Sequence, residues 1–81
     1  MALRAIMLRR QIEAKRGQLE QLREKDAAFA ERRTALETAV NEAETDEQFE
    51  AVRAEIETLE GEETAHGGEV TRLSGEIQEL E

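Results

Sequence analysis

Glu42-Ala43-Glu44-Thr45-Asp46-Glu47-Gln48-Phe49 is the stretch whose reading decides the fold of this chain. On its N-terminal side, steps of four and three residues taken alternately from Leu8 visit Ile12, Lys15, Leu19, Leu22, Asp26, Phe29, Arg33, Leu36, Val40 and Ala43. On its C-terminal side, steps of three and four from Phe49 visit Val52, Ile56, Leu59, Glu63, His66, Val70, Leu73, Ile77 and Leu80. This alternation is the 3.5-residue repeat of a coiled-coil seam. From Ala43 to Phe49 the step is six residues, which neither interval accommodates.

The stretch itself supplies a cause for the break. Thr45 followed three residues later by Gln48 is a capping-box pattern, and Asp46 and Glu47 lie where the dipole of a new helix favours acids. The pattern predicts helix one over about residues 2–44, a turn at about 44–46 and helix two over about 46–81, in a single segment spanning 1–81. A stutter inside one continuous helix is the alternative, since no proline or glycine enforces a stop. The expected fold is all-α: a long helical hairpin, or antiparallel coiled coil, able to self-associate. One continuous long helix in a parallel coiled coil is the competing architecture.

Folding the arms back sets Val40 near Val52, Leu36 near Ile56, Leu22 near Val70 and Ile12 near Leu80. Apolar positions then mostly meet apolar positions, and each arm is about 60 Å long at about 1.5 Å per residue. Five seam positions are polar: Lys15, Asp26, Arg33, Glu63 and His66. They weaken the seam but can fix register or partner choice, and the hairpin places Asp26 beside His66. Gly67-Gly68, just after His66, is the candidate point for a kink or fraying in helix two, because glycine disfavours helix by about 1 kcal/mol relative to alanine. The phase of the repeat holds through both glycines, so they need not mark a boundary.

Charge supports the folded-back arrangement. The net charge of -9 divides unevenly: residues 1–43 carry nine Lys or Arg against seven Asp or Glu, whereas residues 44–81 carry two against thirteen. A basic-leaning arm can therefore lie along an acidic one. The acidic arm would repel nucleic acid and an anionic membrane, so neither is an expected partner. The apolar residues near the N-terminus are interrupted by Arg4, Arg9 and Arg10, which excludes a signal peptide or membrane span there.

Catalysis requires convergent groups, and the inventory is poor: one histidine, one serine (Ser74), no cysteine and no tryptophan or tyrosine. Glu63-Thr64-Ala65-His66 matches one half of a di-metal helix motif, but there is no second copy to face it. The glutamate-rich stretches lack the spacing of a calcium loop, and no phosphate-binding glycine loop is present. The expectation is a chain that is not an enzyme, with no cofactor, metal or small-molecule ligand. Ordering each residue costs about 1–2 kcal/mol of backbone entropy, against which a narrow apolar stripe offers little. Association is therefore expected, either with copies of itself or with a larger protein, with Leu3, Ile6 and Met7, partly off the main seam, as candidates for a second contact surface.

The opening Met1-Ala2-Leu3-Arg4-Ala5-Ile6-Met7-Leu8-Arg9-Arg10-Gln11-Ile12-Glu13 resembles the start of HK97-like tailed-phage major capsid proteins. Leu19 through Lys25, Arg32 through Val40, and the acidic turn leading into Val52 through Leu59 are similar too. The resemblance implies the N-terminal scaffolding (delta) domain of such a capsid protein, a helical extension that guides procapsid assembly and is removed on maturation. It further implies other capsid subunits as partners, a phage maturation protease acting beyond residue 81, and a location inside the procapsid in the host cytoplasm. On this reading the chain is an N-terminal fragment of a larger protein. The alternative is a generic coiled-coil oligomerisation or adaptor segment of a cellular protein, cytoplasmic in location.

Overall fold

A computed structural model of the chain describes residues 2–81; Met1, one of the residues quoted above for the resemblance, lies outside them. Two helices make up the fold, α1 (Ala2–Glu42) and α2 (Asp46–Leu80). They fold back on one another as an antiparallel hairpin measuring 67 × 16 × 12 Å. The rod shape follows from the sequence: arms of similar length share one narrow seam, and no third element covers their outer faces.

The reversal is made by polar side chains. Thr45 takes an extended backbone (φ -108°, ψ 157°) and its Oγ1 accepts from the Gln48 amide. In return Gln48 Oε1 accepts from the amides of Glu44 at 2.8 Å and Thr45 at 3.1 Å. Two amides outside the helix and one within its first turn are thus satisfied by two side chains. Among the described residues none has positive φ, so the reversal needs no glycine. α1 ends at Glu42, two residues short of the Glu44 expected from the pattern, and α2 begins at Asp46.

The core is slender. Leu19, Leu73 and Ile77 bury one another across the seam, with Ile12, Leu22 and Val70 packed against them. Leu59, 3% exposed, is buried farther toward the turn. Leu36, Phe29, Val52, Ile56 and Leu80 are half-buried. Their positions on facing strips follow from the alternating spacing, which keeps one face of each helix toward its neighbour.

Three residues assigned to the seam depart from it. Val40 is 43% exposed, and its neighbour Ala39 is half-buried in its place. A straight helix turns by 3.6 residues, so its contact line drifts about 20° per heptad from a strict 3.5-residue repeat. Near the turn that drift passes the contact through Leu36, Ala39 and Ala43. Phe49 lies in the first turn of α2 and is 45% exposed. Leu8, near the open end, is also exposed. Gly67 and Gly68 both lie within the helical span of α2.

Candidate assembly interface

Cross-helix polar contacts fix the alignment of the arms. Lys15 Nζ lies 3.0 Å from Glu76, and Arg33 donates to both carboxylate oxygens of Glu63 at 2.8 and 2.6 Å. Arg16 pairs with Glu81 and Arg32 with Glu62. In all four pairs the base belongs to α1, and the acid belongs to α2 or, for Glu81, to its C-cap. The basic lean of α1 is thereby set against the acidic lean of α2 across the seam. Each exposed pair contributes little alone, so their common direction matters more than their number.

The middle of the seam contains a polar layer. His66, whose side chain is largely buried, places Nε2 2.6 Å from the Leu22 carbonyl oxygen. Since a carbonyl only accepts, Nε2 carries the proton and donates. Asp26 stands 3.7 Å from the same nitrogen, beyond hydrogen-bonding distance, and is mostly exposed. The imidazole meets Phe29 edge-on, with ring centroids 5.1 Å apart and planes at 68°. Arg32 covers the Phe29 ring from 5.9 Å. A histidine held in this way is satisfied by backbone and aromatic neighbours.

The structure brings together Lys15 with Glu76, Arg33 with Glu63, and Asp26 with His66. Glu76, Arg16, Glu81, Arg32 and Glu62 were not singled out by the repeat, which follows only seam positions. Opposite charges at positions flanking a seam were the available signal. The Leu22 carbonyl could not be foreseen, because backbone acceptors carry no mark in sequence.

On α2 itself, Arg72 bridges Glu69 and Glu76. The hydrogen bond from Arg72 and then its charge hold the Glu69 carboxyl below its ordinary value of 4.5. Glu76 is lowered from 4.5 as well, chiefly by the hydrogen bond from Lys15, with burial opposing and the charges of Arg72 and Lys15 adding.

Leu3, Ile6 and Met7 lie on the outer end of α1 and are exposed, Leu3 at 83%. Ser74 lines a shallow recess with Arg16, Leu19, Glu20, Arg23 and Ile77, about 12 Å along the helix from His66 at 1.5 Å per residue. The two groups do not converge. No helix among the described residues is long and apolar enough to cross a membrane. Comparisons with protein-family models, curated proteins and solved structures find no match for this chain.

Proposed function

We propose that this rod is a non-enzymatic assembly module that guides the formation of a larger protein shell, in the manner of the scaffolding domain of an HK97-like capsid protein. The observation that carries the reading is how apolar surface is distributed. A thin seam holds the two arms together, while Leu3, Ile6, Met7 and Phe49 remain exposed. An elongated helical hairpin with unspent apolar surface is suited to contact with other protein. The proposed partners are other copies of the chain and the subunits to which it is joined, inside a procapsid in the host cytoplasm. Removal by a maturation protease acting beyond residue 81 would release the rod once the shell has formed.

The test is electron microscopy of the full-length protein expressed with and without residues 2–81. The expected result is closed, uniformly curved shells with the rod, and open sheets, misshapen particles or unassembled subunits without it. Shells that form equally well without the rod, or an unrelated domain encoded after Glu81, would refute the scaffolding role.

A further inference from the structure

Three recesses on one flank of the hairpin join into a single groove, because Arg32 lines two of them and Leu22, Lys25 and Glu69 also line two. The groove follows the seam from the level of Gln18 to that of Leu36, about 27 Å at about 1.5 Å per residue. Leu22, Phe29 and Leu36 line it from the seam side, and the partner arm leaves each of them only half-buried.

The walls of the groove repeat as the seam does. Gln18, Gln21, Lys25, Ala28, Arg32 and Ala35 line it from α1. Glu55, Thr58, Glu62, Ala65, Glu69 and Arg72 line it from α2. Both series step alternately by three and four residues, so each helix carries a second 3.5-residue stripe beside the first. The α1 stripe holds two bases and none of that arm's acids. The α2 stripe holds three acids and one base, Arg72, which Glu69 and Glu76 already bind. Among the described residues Lys25 and Glu55 enter no ion pair.

We infer that two copies of the chain join along this groove, flank to flank, as an antiparallel four-helix bundle. This rests on the assembly reading above and specifies its partner surface. A two-fold axis along the rod lays α1 of each copy over α2 of the other at unchanged height. Arg32 pairs with Glu62 within one hairpin, so the same two residues come level between copies, and each base then stands between two acids. Lys25 and Glu69, which share a recess, come level in the same way, and so do the small Ala28 and Ala65. A two-fold axis across the rod would instead set α1 on α1 and α2 on α2, base against base and acid against acid. The opposite flank offers no such discrimination, since Arg16, Glu20 and Arg23 mix both signs along α1 there. Once joined, the copies cover the open sides of Leu22, Phe29 and Leu36, and both turns lie at one end of the bundle.

Charge exchange with complementation tests the inference on the 81-residue chain. One variant carries Lys25→Glu and Arg32→Glu; the other carries Glu55→Lys and Glu62→Lys, leaving Glu69 to Arg72. Sedimentation velocity at low ionic strength should show the unmodified chain in a monomer–dimer equilibrium. Either variant alone should associate at least about tenfold more weakly, and an equimolar mixture should recover most of the loss, since each altered stripe then meets its complement. Ala28→Gln provides a check free of charge effects: it keeps a good helix former but fills the groove. It should weaken association while leaving the melting transition of the monomer in place. Spin labels at Glu44→Cys report the orientation, because the two turns should lie within about 25 Å of one another in the dimer. A two-fold axis across the groove would hold them about 50 Å apart.

An unmodified chain that stays monomeric to about 1 mM overturns flank-to-flank docking. So do exchange variants that associate as strongly as the unmodified chain, a mixture that gains nothing over either variant alone, or turns held at the larger separation. Association that survives both exchanges refutes this inference while leaving assembly through another surface of the rod intact. The assembly reading itself fails only if full-length subunits build normal shells without residues 2–81.

Discussion

At the turn, Thr45 and Gln48 exchange side-chain hydrogen bonds within four residues of one another, while Val40 and Phe49 stay exposed. At the other end of the rod, Leu19 is buried against Leu73 and Ile77, more than fifty residues away in sequence. The first region is secured by local polar geometry with little apolar burial. The second is secured by apolar burial whose partners meet only once the chain has reversed. A short connection closes at small entropic cost, so the turn can afford thin packing. The distal arms have no covalent tie near them, and the slender core is concentrated where the arms would otherwise splay.

The largest effect expected from this contrast is at Leu73, which is 2% exposed. Leu73→Ala should cost about 2–4 kcal/mol, the range for truncating a buried leucine. Val40→Ala, at the exposed position beside the turn, should change stability by less than about 0.5 kcal/mol. Denaturant titration followed by far-ultraviolet circular dichroism measures both. Equal losses would mean that the seam is uniform and that the two regions do not differ as described.

Thr45→Ala comes next and addresses the polar side of the contrast. It removes the acceptor for the Gln48 amide and one half of the reciprocal cap, at an expected cost of about 1 kcal/mol. Gln48→Ala, which strips the acceptor from the Glu44 and Thr45 amides, should produce a loss of similar size. Pairing either substitution with Leu73→Ala should give nearly additive losses, because the two sites share no contacts. Strong coupling between them would show that the ends of the rod do not act independently.

Much of this architecture was legible in the sequence. The step from Ala43 to Phe49 broke a repeat that otherwise continued through both arms, and Thr45 with Gln48 gave the break a mechanism. The burial of Leu19, Leu59, Leu73 and Ile77 follows from their place in the repeat. The exposure of Val40 does not, because a strict 3.5-residue pattern carries no information about how far an actual helix drifts from it. The partner of His66 was only half visible: Asp26 follows from register, whereas the nearer Leu22 carbonyl is a backbone group at a position chosen by packing. Propensity marks Gly67-Gly68 as a weak point of α2, and both residues lie within its helical span.

That glycine pair offers a prediction of opposite sign. A methyl group added at Gly67 or Gly68 would meet no atom within 4 Å, so alanine there should relieve the helix penalty without a clash. Gly67→Ala and Gly68→Ala should each raise stability by about 1 kcal/mol, seen as a higher midpoint in thermal melts. A loss on substitution would mean that the pair serves a contact outside the hairpin.

The smallest effect concerns the ion pairs that align the distal arms. Glu76 titrates below its ordinary value of 4.5, first because Lys15 donates to it across the seam, and Glu69 is lowered by its hydrogen bond from Arg72. A carboxyl depressed in the folded state adds stability above its unfolded value and loses it as pH falls through the folded value. The hairpin should therefore melt at a lower temperature on acidification from neutral pH to below the ordinary carboxyl range. Glu76→Gln removes the cross-helix acceptor for Lys15 as a charge, whereas Glu69→Gln touches only a pair within α2. The acid-dependent part of the melting shift should therefore shrink more in Glu76→Gln than in Glu69→Gln. Raising the salt concentration at neutral pH should narrow the gap between the two variants, because partly exposed pairs are screened. If Glu69→Gln instead removes the larger share, the charges act by stabilising α2 alone, and alignment of the distal arms falls to Leu19, Leu73 and Ile77.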